Sequence, residues 1–147
     1  MRWLIALLAL AGMVAAALAL REHYRTEASP CSINEKWDCG TVNKSRFAVI
    51  GGVPVAVIGI AGYLLLAGLA IAKRWRLLAA AAVPALAFSL YLAHIEKDIL
   101  EVWCIYCVIS LGIITLITLL SLIALGMNWR KEPQKKGQRR MIRKRHS

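Results

Sequence analysis

Four long apolar stretches divide this chain, and none contains an Asp, Glu, Lys or Arg: Trp3–Leu20, about Val49–Ala72, about Leu77–Ile95 and about Cys104–Gly126. Crossing the hydrocarbon core of a bilayer takes about 20 apolar residues in a helix. The pattern therefore predicts an all-α membrane protein, a four-transmembrane-helix bundle. The first polar connection, Arg21 to Ala48, is long enough to cap one end of the bundle. Asp38-Cys39-Gly40 reads as a turn within it. The segment Thr41 to Phe47 reads as a short helix along the membrane surface. Gly51-Gly52-Val53-Pro54 is expected to open the second span, since proline is tolerated in a first turn. Gly51, Gly59 and Gly68 offer small faces for close packing, and Pro84 is placed to kink the third span. Residues 1–126 form the membrane domain, and residues 127–147 a basic, disordered tail.

Composition agrees: 59% of the 147 residues are hydrophobic, which leaves no room for a soluble domain beside the spans. The first stretch is longer than the apolar core of a signal peptide. It runs into Arg21 without a small-residue cleavage site, so it reads as a span. No internal repeat, Gly-rich phosphate loop, H-E-x-x-H or G-x-S-x-G occurs.

The net charge of +11 is unevenly placed. Arg2, the turn Lys73-Arg74-Trp75-Arg76 and the tail share one side, with thirteen basic residues against the single acid Glu132. The other two connections carry six bases against seven acids. The positive-inside rule puts both termini in the cytoplasm and both cysteine-bearing connections on the outer face. The basic tail then reads as a topology signal rather than a nucleic-acid site, and no nucleic-acid partner is expected. Trp3, Trp75, Trp103 and Trp129 fall at span ends, as an aromatic belt requires.

The only cysteines are Cys31 and Cys39 in the first outer connection, and Cys104 and Cys107 at the mouth of the last span. The C-x-x-C spacing puts both sulfurs on one helix face. Cys104 is expected in the first turn, where free N–H groups and the helix dipole favour a thiolate, the form that attacks disulfides. Cys107 lies one turn deeper, where a lipid-dissolved quinone ring would approach. A staple within one helical turn closes too short a loop to stabilise much, which favours redox work for this pair. Two other readings stay open: inert staples, and a four-thiolate zinc site.

Together these residues resemble the vitamin K epoxide reductase family, most closely its bacterial branch. The match lies in Cys31-x7-Cys39, Ser45 six residues later, Gly52-Val53-Pro54-Val55-Ala56, the Gly59–Tyr63 stretch and Cys104-Ile105-Tyr106-Cys107. It runs from about Trp3 to Gly126. The resemblance implies a four-helix bundle around a quinone, ubiquinone or menaquinone, with no metal. It implies that Cys31 exchanges with a thioredoxin-fold partner, here a separate protein, that Cys39 and Cys104 relay electrons, and that Cys107 faces the quinone. Ser45, Phe47, Val55 and Leu111 would line the quinone site. The setting implied is the bacterial inner membrane, and the outcome disulfide formation in dithiol proteins outside it.

Animal members that reduce vitamin K epoxide carry an Asn and a Tyr where this chain has Val55 and Leu111. Epoxide opening gains from a nearby proton donor, so these positions point to quinone rather than epoxide chemistry. Of the remaining polar residues, His94 is either a proton relay or a wetted interface residue. Glu96 flanks the outer end of the third span with His94, near the cysteines in projection, while Lys97, Asp98 and Glu101 read as a solvated loop. Phe47 and Trp37 are candidates to cap a ring, and Tyr63 and Tyr91 read as packing residues.

Overall fold

The computed structural model describes residues 1–147 and is overwhelmingly helical. Its elements in order are α1 (Arg2–Tyr24), a short α2 (Cys39–Lys44), a 3₁₀ turn (Arg46–Ala48), strands β1 (Val49–Ile50) and β2 (Val53–Pro54), α3 (Val55–Ile71), α4 (Trp75–Ile95) and α5 (Ile105–Arg145). A wide turn over Glu96–Leu100 extends α4. Three helices are long and apolar enough to cross a membrane: α1, α4 with its extension, and α5. The fourth, α3, is apolar but has only 17 residues. The chain is an all-α integral membrane protein.

Helix α1 packs on α3 and α5, while α4 packs mainly on α5. The shared core holds Ile5, Ala9, Tyr63, Leu66, Leu78 and Ile117. Leu7, Leu10, Leu64, Leu65, Leu119 and Ile123 instead face outward. So much outward leucine and isoleucine would be an aggregation liability in water, and it suits a lipid surround. The closest approach is at Gly12, where an added Cβ would fall inside the Tyr63 ring. Tyr63 in turn donates its hydroxyl to the Ser110 carbonyl at 2.9 Å, tying α3 to α5. Gly12→Ala is therefore expected to cost about 1–3 kcal/mol of overpacking, read as a lower unfolding temperature in detergent. Gly62→Ala, with nothing within 4 Å, should show no comparable loss.

Three expectations are corrected. Gly51-Gly52 does not begin the second span: both glycines have positive φ, 57° and 81°. They turn β1 back on β2, pairing Val49 with Pro54 and Ile50 with Val53. Such a two-residue turn needs positive φ at both centres, which glycine supplies without strain, so α3 starts only at Val55. The surface helix is also interrupted: α2 ends at Lys44, and Ser45 is extended before the 3₁₀ turn. The tail is not disordered but continues α5 to Arg145, with Pro133 inside the helix. Its many Lys, Arg and Gln residues are good helix formers. Arg76 at the start of α4 reaches Glu132 of α5 at 3.6 Å, an exposed pair of little energetic weight.

Candidate active site

The long loop between α1 and α2 is held to the start of α5 by backbone pairing. The Asp38 N–H donates to the Trp103 carbonyl at 3.0 Å, and the Trp103 N–H donates to the Lys36 carbonyl at 2.7 Å. The Asp38 side chain caps α2, accepting from the Thr41 N–H at 3.2 Å and the Thr41 hydroxyl at 2.8 Å. It also accepts from the Ser32 hydroxyl at 2.8 Å. These bonds, from Ser32 first and then Thr41, hold the Asp38 carboxyl below its usual range. A depressed folded-state value means that the capping stability is complete above the unfolded pKa of about 3.9. It is lost as the pH falls through the lower folded value. Asp38→Ala removes the cap at any pH, at a cost of about 1 kcal/mol. It should speed reduction of the loop disulfide by a small dithiol about fivefold at neutral pH, measured by thiol labelling.

That disulfide joins Cys31 to Cys39. Cys104 and Cys107 are free thiols. Cys31, Cys39, Val42 and Cys104 form one buried cluster, with Cys107 packed against it. Cys39 and Cys104 are 0% exposed, while Cys31 keeps 5%. Cys104 stands at the N-cap of α5, one position ahead of the expected first turn. The Asn43 side-chain amide joins the two pairs. Its Nδ2 donates to the Cys39 carbonyl at 2.8 Å and to the Cys104 Sγ at 3.4 Å. Asn43 is itself buried, and His23 of α1 contacts its backbone carbonyl.

Below the cluster lies a cavity of about 260 Å³ with mainly hydrophobic walls. Cys107, Ser45, Phe47, Val55 and Leu111 all line it. The Ser45 hydroxyl is engaged with the Val42 carbonyl at 2.8 Å, and Arg46 lies over the Phe47 ring. Apolar cavities near 150 Å³ already accept a benzene ring, so this one has room for a single quinone ring. Its chemistry also fits, with apolar walls, a thiol and a few hydroxyls. No group of three or more His, Cys, Asp and Glu side chains converges as a metal site.

Other candidates fall elsewhere. Trp37 pairs with Trp103 rather than covering the cavity. Tyr91 is exposed. His94 is exposed and pairs with Asp98 at 2.7 Å. The sequence reading gave no role to Asn43 or to Glu96. Asn43 lay unmarked within the Thr41–Phe47 segment. Glu96 was expected near the cysteines in projection, and it is 3% exposed and lines the cavity. Its placement had a readable signal, because Ala85, Phe88, Ser89 and Leu92 of α4 also line the cavity. Glu96, four residues on from Leu92, continues that stripe.

Residues 3–122 match the model of the Vitamin K epoxide reductase family. The chain belongs to this family. It is an integral membrane oxidoreductase of the vitamin K epoxide reductase family, and all four cysteines lie within the matched span. No curated protein matches the chain.

Proposed function

We propose that this family member passes electron pairs from a thioredoxin-fold dithiol protein to ubiquinone or menaquinone, supporting disulfide formation outside a bacterial inner membrane. A partner thiolate attacks Cys31, breaks the Cys31–Cys39 bond and forms a mixed disulfide. The second partner thiol then releases a reduced Cys31/Cys39 pair and an oxidised partner. Cys39 next attacks a Cys104–Cys107 disulfide at Cys104, and Cys31 resolves the Cys39–Cys104 bond. The dithiol left at Cys104/Cys107 reduces the quinone.

One observation carries this reading. Cys39 and Cys104 share a buried cluster, while Cys107 reaches from it into an apolar cavity with room for one ring. The thiol state also suits it, with a disulfide at Cys31–Cys39 and an electron pair waiting beside the cavity at Cys104/Cys107. Ser45, Phe47, Val55 and Leu111 would contact the ring. Val55 and Leu111 offer it no proton donor, which favours quinone over epoxide as the oxidant. At 17 residues α3 reaches the lower limit for a span, and crossing by all four helices would leave both termini on the basic, cytoplasmic side.

The test is anaerobic mixing of the purified protein, reduced at Cys104/Cys107, with a short-chain ubiquinone or menaquinone analogue. We expect one quinone consumed for every two thiols lost. Unchanged quinone and thiols would overturn the proposal.

A further inference from the structure

Quinone reduction moves protons as well as electrons, and the cavity contains one carboxylate. Glu96 lies in the wide turn after α4 and is 3% exposed. No Lys or Arg lines the cavity beside it, and the one histidine there, His23, contacts the Asn43 carbonyl instead. The Glu96 Oε2 accepts the backbone N–H of Cys104 at 3.1 Å, and Cys107 lines the same cavity. Glu96 therefore bonds the first cysteine of the C-x-x-C and shares with the second the space where the ring would sit. An acid buried at this depth without a counter-cation is costly and is a functional candidate by default.

We infer that Glu96 is the proton carrier of the quinone-reducing half-reaction, taking the Cys107 thiol proton and delivering it to a quinone oxygen. This rests on the quinone reading above. The step balances. Two S–H bonds break, one S–S bond forms between Cys104 and Cys107, and the two electrons pass to the quinone. One proton travels from Cys107 through Glu96 to one oxygen, which returns Glu96 to its starting state. The proton lost by Cys104 goes to solvent, and the second oxygen takes its proton from solvent. The product is the hydroquinone.

The carboxylate also caps the start of α5, so the test must separate proton transfer from capping. Glu96→Gln keeps an oxygen able to accept the Cys104 N–H but cannot carry a proton. Positioned acid–base groups contribute about 10²–10⁴-fold. Single-turnover quinone reduction should therefore fall at least about a hundredfold in Glu96→Gln. Reduction of the Cys31–Cys39 disulfide by a small dithiol should stay near wild type, which reports an intact fold. Wild-type quinone turnover in Glu96→Gln would overturn the inference, and a loss confined to Glu96→Ala would assign Glu96 to capping alone. If wild-type protein fails to reduce the quinone, the functional proposal itself falls and this inference with it. A second measurement is time-resolved infrared difference spectroscopy of the reaction. A transient carboxyl C=O band that is absent from Glu96→Gln and shifted in Glu96→Asp supports the assignment, and a transient carboxyl band that persists unchanged in Glu96→Gln overturns it.

Discussion

Cys107→Ala is expected to reduce quinone no faster than buffer while still folding. The thiol sits at the cavity wall and is only half-buried. Trimming it to a methyl leaves a small void, at a cost of about 1 kcal/mol. The loss of function should be complete for a chemical reason. With Cys107 gone, Cys104 has no neighbour on α5 with which to form a disulfide, so the pair cannot give up two electrons together. The remaining Cys104 thiol still shares a buried cluster with Cys39, and the Asn43 amide contacts both residues. It should attack the Cys31–Cys39 bond at Cys39 and release the Cys31 thiol, so that a Cys39–Cys104 disulfide accumulates. Peptide mapping after alkylation would detect that bond. Quinone reduction at the wild-type rate in Cys107→Ala would remove this residue from the relay.

The large features were legible because they are set by composition over many residues. An apolar run of twenty residues has one stable form in lipid, a helix that satisfies its own backbone, and α1, α4 and α5 follow from that. The cysteines were legible because so few residue types do their chemistry. What escaped depends on contacts distant in sequence or on local backbone angles. The Trp37–Trp103 pairing joins two loops sixty-six positions apart, and no periodicity announces it. Gly51-Gly52 was assigned to a helix start because Pro54 follows it, yet the paired positive φ values turn the chain before the helix begins. Gly12 lies in an Ala-rich stretch and gives no sign that an aromatic ring from α3 rests on it. Glu96 was expected near the cysteines but without a role. Its burial follows from the α4 face it continues, which points into the cavity, and Lys97, Asp98 and Glu101 beside it gave no sign of that. The tail carries the opposite lesson: a run of like charges suggested disorder, while the residues bearing those charges favour a helix.

Cys31→Ala should separate the two sources of electrons. In the intact loop Cys31 keeps 5% exposure and Cys39 none, so a protein-sized dithiol meets Cys31 first. Asp38, Thr41 and Ser32 hold the loop closed over Cys39 through their hydrogen bonds. A thioredoxin-fold donor that cannot reach Cys39 cannot form its mixed disulfide, and quinone reduction driven by that donor should drop to background. A small dithiol has another route. Cys107 lines the cavity, and a molecule the size of a substrate ring can enter there and reduce a Cys104–Cys107 disulfide directly. Turnover driven by such a dithiol should remain within a few-fold of wild type, since thiol exchange depends chiefly on access and thiolate character. The two donors are compared on the same preparation, so misfolding would suppress both and could not mimic the expected split. Partner-driven turnover that survives in Cys31→Ala would mean that electrons enter at Cys39 or directly at Cys104/Cys107. The outer disulfide would then hold the cap in place rather than carry electrons.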